Sequence, residues 1–259
     1  MLLAALAAAA AVAAPPLPST AAAGAGADAG PVHRSAAGAA AVPRPAAVPR
    51  PAALGTAPRG AAAAQRAAAL PRPAITRRFI PLGPRRRRET SAYALRHYGV
   101  AWNRIVPRGI VVHWTQNDSV DATWNTFAAD TADPELHERP GTCAQFVVAR
   151  NGRIVQLTPV TFLCRHTVGL NWAAVGIEHV GRSDRQVLAN AAQLRASIRL
   201  TRWLRCRYRI PVRDVIGHAE SLSSPLHRER VAALRRQTHG DFARPAMRRY
   251  RALVRAAGC

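Results

Sequence analysis

Short apolar runs recur between about residue 75 and the C-terminus, and the spacing within each run predicts its secondary structure. The run GIVVHWT is rich in β-branched residues and predicts a buried strand, and AAVGIEHVG and VRDVIGH predict two more. In AQFVVARNGRIVQLTP, two β-rich runs flank Asn151 and Gly152, a residue pair favoured in tight turns. This segment therefore predicts a β-hairpin.

Segments with helical periodicity alternate with these strands. ETSAYALRHYG contains helix-forming residues and stops at Gly99, and SVDATWNTFAAD follows a capping residue, either Asp118 or Ser119. Ser183 predicts the start of a long helix from Asp184 to about Tyr208. Its expected apolar stripe is Val187, Ala191, Leu194, Ile198, Thr201, Leu204 and Tyr208. HRERVAALRR and ARPAMRRYRALVRAAG predict two further amphipathic helices.

The order of these elements indicates the fold class. Strands that alternate with helices, with one hairpin among them, are typical of an α/β fold in which helices flank a central mixed β-sheet. We expect one catalytic domain over residues 75–259, a size usual for a single domain.

The N-terminal part has a different composition. Residues 15–73 are almost entirely Ala, Pro, Gly and Arg, which predicts a disordered spacer over residues 24–74. The opening run MLLAALAAAAAVAA is too short to span a bilayer but suits the core of a signal peptide, so residues 1–23 are a candidate signal peptide. No Arg or Lys precedes this run, which leaves a low-complexity head or a misplaced start as alternatives. We expect a protein that is secreted, extracellular or held in a cell wall.

The chain is strongly basic, with a formal net charge of +23, and all of its basic residues are Arg. Most of the excess lies in the part predicted to fold. Such a charge predicts attraction to polyanions, which include nucleic acid, anionic lipid and the anionic polymers of a cell wall. Codon bias in a high-GC genome is an alternative explanation of the Arg-for-Lys usage. Since no zinc-finger or RNP signature accompanies the charge, no specific nucleic-acid partner is predicted.

The four cysteines are Cys143, Cys164, Cys206 and Cys259, and none forms a CxxC motif. In an exported chain, an even number with this spacing favours disulfides over a cysteine zinc site. Each of the pairs Cys143–Cys164 and Cys206–Cys259 flanks one local unit, so this is the first pairing to test, although the sequence does not fix the connectivity.

Three side chains that can bind a metal lie at or near the ends of predicted elements. His113 follows GIVV, His218 follows DVIG, and Asp241 lies in THGDF. Catalytic zinc takes three such ligands and leaves a fourth position to water, and two His with one Asp fit that rule. Seven other His compete, so each of these His alone is more readily explained as structural.

The segments VVHWT, RHTVGLNWAAVGIEHVG and GHAE, in this order, resemble the type-2 N-acetylmuramoyl-L-alanine amidase family, which includes phage endolysins and animal peptidoglycan recognition proteins. The resemblance covers about residues 75–257. It implies a Zn²⁺ cofactor bound by His113, His218 and Asp241. The segment between the last two is longer than in compact members of the family, which leaves Glu220 and His239 as alternatives for the third ligand.

The resemblance also implies roles in catalysis. Glu178 matches the glutamate that takes the proton of a zinc-bound water in bacterial members. His239 stands where the family often has a Lys, which implies that it stabilises the oxyanion or protonates the leaving nitrogen. Ala144 stands where phage members have a tyrosine. His166 and Asn171 resemble residues that contact glycan or peptide in the groove, and for His166 a packing role is the alternative.

The sequence therefore predicts a secreted, zinc-dependent amidase, active as a monomer. It would cut the amide between N-acetylmuramic acid and L-alanine in peptidoglycan or muropeptides. A non-catalytic peptidoglycan-binding module is the first alternative. The second alternative is a basic nucleic-acid-binding protein, which only the net charge supports.

Overall fold

The computed structural model describes residues 70–259. The candidate signal peptide, residues 1–23, and the predicted spacer, apart from residues 70–74, lie outside the described residues. Within them, six strands alternate with five helices. The strands are β1 (Ile75–Arg77), β2 (Gly109–Trp114), β3 (Phe146–Val148), β4 (Ile154–Gln156), β5 (Ala174–His179) and β6 (Val215–Gly217). The helices are α1 (Pro84–Tyr98), α2 (Val120–Ala129), α3 (Asp184–Ala189), α4 (Ala191–Tyr208) and α5 (Arg244–Ala256).

The six strands form one mixed sheet in the order β1-β4-β3-β5-β2-β6. β3 and β4 pair antiparallel, and every other neighbouring pair is parallel. The predicted hairpin is confirmed, and Gly152 in its turn has a φ of 83°, a conformation that glycine adopts without steric cost. The expected mixed sheet flanked by helices is therefore the fold observed.

Side chains of the central strands alternate between the two faces of the sheet, as strand geometry requires. Ile110 and Val112 of β2 belong to the same buried cluster as Leu200 of α4 and Tyr250 of α5. Val111 and the histidine two residues after it project to the opposite face. Both faces of the sheet therefore bury apolar side chains, and polar side chains occupy the second face near the ends of the central strands.

Local signals set most helix ends as predicted. Gly99 ends α1 with a φ of 71°, and the side chain of Ser119 caps α2 by accepting a hydrogen bond from the Ala122 amide at 3.0 Å. The cap is therefore Ser119 rather than Asp118. α1 begins at Pro84, earlier than expected, because proline is well suited to the first turn of a helix.

The predicted single helix over residues 184–208 is wrong, since Asn190 divides it into α3 and α4. Asn190 has extended backbone angles, and its side chain accepts a hydrogen bond from the Gln193 amide at 3.1 Å. An asparagine that bonds the backbone in this way starts a new helix instead of continuing the old one. The break changes the buried stripe, which in α4 consists of Gln193, Ala196, Ser197, Leu200, Thr201, Leu204 and Cys206.

The helix predicted in HRERVAALRR is also wrong, because only Ala232–Leu234 forms a single 3₁₀ turn. The buried carboxylate of Glu229 accepts a hydrogen bond from His97 Nδ1 at 2.9 Å, and the Arg230 amide donates to the His97 carbonyl at 2.9 Å. These bonds tie the segment to the end of α1 and replace the contacts that a helix would make.

Both expected disulfides are present, Cys143–Cys164 and Cys206–Cys259, with Cα–Cα distances of 5.1 and 5.4 Å. The first joins the segment before β3 to the loop that leads into β5, and the second joins α4 to the last residue. None of the helices within residues 70–259 has the length and apolar character needed to cross a membrane.

Candidate metal centre and active site

Three adjacent strands bring polar side chains to one edge of the sheet. His113 of β2 pairs in register with Glu178 of β5, and Val112 pairs with Gly217 of β6. His218 therefore follows β6 at the level of His113, and the two imidazole centroids are 4.8 Å apart. Residues paired on parallel neighbours project to the same face, so the carboxylate of Glu178 and both imidazoles share the face opposite α4 and α5.

The Asp241 carboxylate lies between the two imidazoles. His113 Nδ1 is 2.9 Å from Asp241 Oδ2, and His218 Nδ1 is 3.2 Å from Asp241 Oδ1. All three side chains are buried. Burial alone would raise the pKa of Asp241, but its hydrogen bonds with the two histidines hold that pKa far below the usual value. Burial also lowers the pKa of His218 to about 4, so this imidazole is neutral at pH 7 and has a lone pair to offer.

The loop that carries Asp241 is anchored by Asp184 at the start of α3. The carboxylate of Asp184 accepts hydrogen bonds from the amides of Phe242 and Ala243, at 2.8 and 2.9 Å. It also accepts one from Trp114 Nε1 at 3.0 Å. The residues that follow Asp241 are thus fixed to both α3 and the end of β2.

Gly217 allows this loop to approach the end of β6. A Cβ at position 217 would lie only 1.8 Å from the carbonyl oxygen of Phe242. The backbone of Gly217 has φ −85° and ψ 161°, angles that any residue adopts. The need for glycine here is therefore steric, and it brings His218 and Asp241 together.

The residues His113, His218 and Asp241 fit a metal ion. Their ligand atoms all lie within 4.8 Å of one another, and no other such group occurs among the described residues. Four ligands around zinc at about 2.0–2.1 Å stand roughly 3.3 Å apart, close to the two N–O distances seen here.

Neither alternative for the third ligand fits as well as Asp241. Glu220 is turned towards α5, where its carboxylate accepts hydrogen bonds from both terminal nitrogens of Arg251, at 2.5 and 3.0 Å. His239 has about half of its side chain exposed, and its Nε2 lies 2.8 Å from Glu135 Oε2. The geometry therefore favours the prediction of Asp241.

Glu178 is a buried carboxylate without a full set of partners. Its Oε2 is buried and has no hydrogen-bond partner within the described residues. Burial raises its pKa to about 7, while the neighbouring His113 acts to lower it and Asp241 to raise it further. A carboxyl group with such a pKa, lining a cavity, is typical of an acid–base catalyst.

The model of a known protein family matches residues 101–240, which include His113, Glu178 and His218 and end one residue before Asp241. That family is described as N-acetylmuramoyl-L-alanine amidase. The chain belongs to this family. The search of curated proteins found no match to the chain.

Solved structures with a similar fold include amidases and endolysins. An endolysin N-acetylmuramoyl-L-alanine amidase, LysCS, from Clostridium intestinale is 21% identical, with 57% of this chain and 83% of that one covered and a TM-score of 0.41. A mutant endolysin from Bacillus subtilis is 20% identical, with 70% and 98% covered and a TM-score of 0.40. The amidase AmiD from E. coli, in complex with anhydro-N-acetylmuramic acid-L-Ala-D-γ-Glu-L-Lys, is 26% identical, with 44% and 49% covered and a TM-score of 0.34.

In this amidase-family chain, His166 lies beside the first histidine of the site. Its Nδ1 is 3.2 Å from His113 Nε2 and 2.9 Å from Thr167 Oγ1, and it lines the same cavity. A Cβ at Gly176 would lie 2.8 Å from the His166 ring, so glycine in β5 makes room for the imidazole. His166 is thus placed where a groove residue was expected.

Asn171 is buried and bonds the loop that carries His166. Only 1% of it is exposed, and its Oδ1 accepts hydrogen bonds from the amides of His166 and Thr167 at 2.9 and 2.7 Å. Its Nδ2 donates to the hydroxyl of Tyr93 at 3.1 Å. These bonds orient the loop that carries His166, and Asn171 also lines a small cavity beside His166 and His218, so its contact with substrate stays a prediction.

The site cavity has a volume of about 680 Å³. Its rim includes His239, whose ring centroid is 4.7 Å from that of His218 and whose hydrogen bond to Glu135 crosses the groove. Ala144 is fully buried beneath the site, so no phenol stands there.

Sequence reasoning missed several residues of the groove, among them Glu135 and Arg165. Arg165 lines the cavity and bonds Asp133 at 2.5 Å, which fixes the acidic loop before β3. Arg165 and Thr167 flank His166 in the block that carries the family resemblance, so they could have been found. Glu135 gives no local signal because its partner lies about 100 residues away.

We predict that Gly217→Ala destabilises the fold, whereas Gly240→Ala does not. A methyl group at position 217 collides with the Phe242 backbone, and overpacking of this kind costs about 1–3 kcal/mol or more. Nothing lies within 4 Å of a Cβ at Gly240, which makes it a matched control beside the same ligand. Urea denaturation with a chelator present measures the free energy of unfolding without a metal contribution. Equal midpoints for the two variants would contradict the steric role of Gly217.

Proposed function

We propose that the chain is a secreted, zinc-dependent N-acetylmuramoyl-L-alanine amidase that acts on peptidoglycan or muropeptides. One observation carries the proposal: Asp241 lies between His113 and His218, while the unpartnered carboxylate of Glu178 stands on the next strand in the same cavity. Membership of the amidase family supports the bond that is cut. A purely binding role would not require this complete set of groups.

The cavity suits a substrate that combines sugar and peptide. Its volume lies within the range usual for sites that enclose a small ligand, and its lining includes histidine, arginine and carboxylate groups as well as Trp114 and Phe127. Polar groups along the walls can orient the hydroxyl and amide groups of a glycopeptide, while the aromatic groups pack against its apolar parts.

Three residues would hold the zinc ion, namely His113, His218 and Asp241. When bound, zinc acidifies a water molecule and polarises the scissile carbonyl, which are the two requirements of amide hydrolysis. Glu178 accepts the proton of the attacking water and returns it to the leaving nitrogen. A cation beside this carboxylate favours its ionised form, which offsets the burial that raises its pKa.

His239 is proposed as a second polar group that stabilises the oxyanion or protonates the leaving nitrogen. Its Nε2 is engaged by Glu135 at 2.8 Å, so a substrate that uses this nitrogen must displace Glu135. Since both side chains are about half exposed, this bond is weakened by water and is inexpensive to break.

The paired cysteines support the proposal of export. Disulfides persist in extracellular compartments and are rare in the cytosol, and both pairs are within bonding distance here. We expect protein recovered from the culture medium to show no titratable thiol before reduction and four after it. Four free thiols in the secreted protein would contradict the proposal.

We predict that the purified protein binds about one zinc ion and that a chelator abolishes its activity. His113→Ala removes a ligand and should lose the metal. Glu220→Ala is the matched control, since it removes a buried carboxylate near His218 that bonds Arg251 instead of facing the cavity. It should lower stability but keep the zinc, as measured by metal analysis after dialysis. Retention of zinc by His113→Ala, or its loss by Glu220→Ala, would show that the ligands are assigned wrongly.

We predict that Glu178→Gln keeps zinc and substrate affinity but loses on the order of 10² to 10⁴ in turnover, the usual contribution of a positioned proton acceptor. The assay is mass spectrometry of digested peptidoglycan. The wild type should release stem peptides with a free L-alanine amino terminus and leave the glycan unchanged. Near wild-type turnover in Glu178→Gln would exclude it as the proton acceptor, and a shortened glycan would exclude the amidase activity itself.

A further inference from the structure

A second groove lies at the opposite end of the sheet from the amidase site. It has a volume of about 670 Å³, and we call it the Arg–Trp groove. Its lining includes Trp102, Arg104, Val106, Arg108, Trp172 and Arg228. Arg108 directly precedes β2, whereas His113 is near the end of that strand. At about 3.3 Å per strand residue, the two positions are roughly 16 Å apart.

Backbone hydrogen bonds hold the walls of the Arg–Trp groove in place. The Ile105 amide donates to the Thr161 carbonyl at 2.8 Å, and the Leu163 amide donates to the Asn103 carbonyl at 3.0 Å. At the other end, the Arg108 amide donates to the carbonyl of residue 173 at 2.7 Å. The loop between α1 and β2 is therefore bound along its length, and the groove is a fixed feature of the fold.

The groove combines exposed aromatic and aliphatic surface with cations. Trp102 is 59% exposed and Val106 is 78% exposed, which are high values for large apolar side chains. The guanidinium groups of Arg108 and Arg228 lie 5.5 and 5.8 Å from the Trp172 ring centroid, within cation–π range. Trp172 thus orients two cations, while Trp102 offers a free indole surface.

The arginines of the groove have no acidic partner within residues 70–259. Arg104, Arg108 and Arg228 are exposed, and no carboxylate of the described chain lies within 4.0 Å of them. Other exposed arginines do find partners, since Arg150 and Arg182 both bond Asp118 at 2.6 Å. The groove also has no acidic residue in its lining. Three uncompensated guanidinium groups in one groove favour an anionic ligand.

We propose that the Arg–Trp groove binds a phosphate-bearing polysaccharide of the cell wall. A phosphodiester carries a negative charge near neutral pH and has two free oxygens, each of which can accept hydrogen bonds from guanidinium groups. The exposed indole of Trp102 provides a surface on which the apolar face of the adjoining sugar packs. A sugar phosphate therefore meets both features of the groove at once.

This inference goes beyond the proposed amidase function and does not depend on zinc. The two sites open at opposite ends of the sheet, so one polymer can occupy the Arg–Trp groove while a different strand enters the amidase site. The Arg–Trp groove would hold the enzyme on the wall and leave the amidase site free for its substrate.

The test measures the affinity of the full chain for a purified, phosphodiester-linked wall polysaccharide by calorimetry in about 0.15 M salt. The groove variant carries Arg104→Gln, Arg108→Gln and Arg228→Gln. The matched control carries Arg195→Gln, Arg199→Gln and Arg249→Gln, three exposed arginines of α4 and α5 without ion pairs among the described residues. A second pair is Trp102→Ala and, as its control, Phe79→Ala, which is 44% exposed outside the groove.

We expect the groove variant to lose about 100-fold in affinity and the control less than about threefold, because charge-assisted hydrogen bonds are lost only in the first. Trp102→Ala should lose about tenfold and Phe79→Ala nothing. All four variants should cleave a soluble muropeptide at the wild-type rate, so a failed amidase proposal would be seen separately. Equal losses in the two triple variants would overturn the inference, as would equal affinity for a polyuronate or higher affinity for single-stranded DNA.

Discussion

The carboxylate of Asp241, held between two buried imidazoles, is the interaction on which the arrangement of the site depends. It joins side chains from β2, from the end of β6 and from the loop before α5, which are 128 residues apart at the extremes. A charged carboxylate that is removed from water carries a large desolvation cost unless it is paired. Pairing with His113 and His218 meets that cost, and a divalent cation at the same place would meet it better.

The parallel pairing of β5, β2 and β6 explains why the proposed metal ligands and the proposed proton acceptor can be so close yet chemically distinct. His113 and Glu178 are level in the sheet, but only His113 contacts the Asp241 carboxylate. Glu178 has no such partner, and burial raises its pKa. One sheet edge thus carries a carboxylate with a lowered pKa and a carboxyl group with a raised one, and the difference comes from the hydrogen bonds and Coulombic interactions of Asp241 with the two histidines.

The sequence was sufficient where the determining forces are local or where the family block is specific. Runs of β-branched residues predicted β2, β5 and the hairpin, and the resemblance pointed to two histidines, Asp241 and Glu178, whose side chains line one cavity in the structure. It failed where distant contacts decide the outcome. Glu229 is bound to His97, so HRERVAALRR does not become a helix, and Glu135 reaches the site through its bond with His239. Neither contact leaves a periodic signal in the chain.

Two glycines shape the site because neighbouring atoms occupy the space that a side chain would need. Gly176 leaves room for the ring of His166, and Gly217 leaves room for the backbone beside Asp241. Neither residue can bind a metal or move a proton. A survey of functional groups alone would pass over both, although a single added methyl group at Gly217 would move a ligand away from its neighbours. The chemistry at this edge of the sheet therefore depends on the shape of the backbone as much as on reactive side chains.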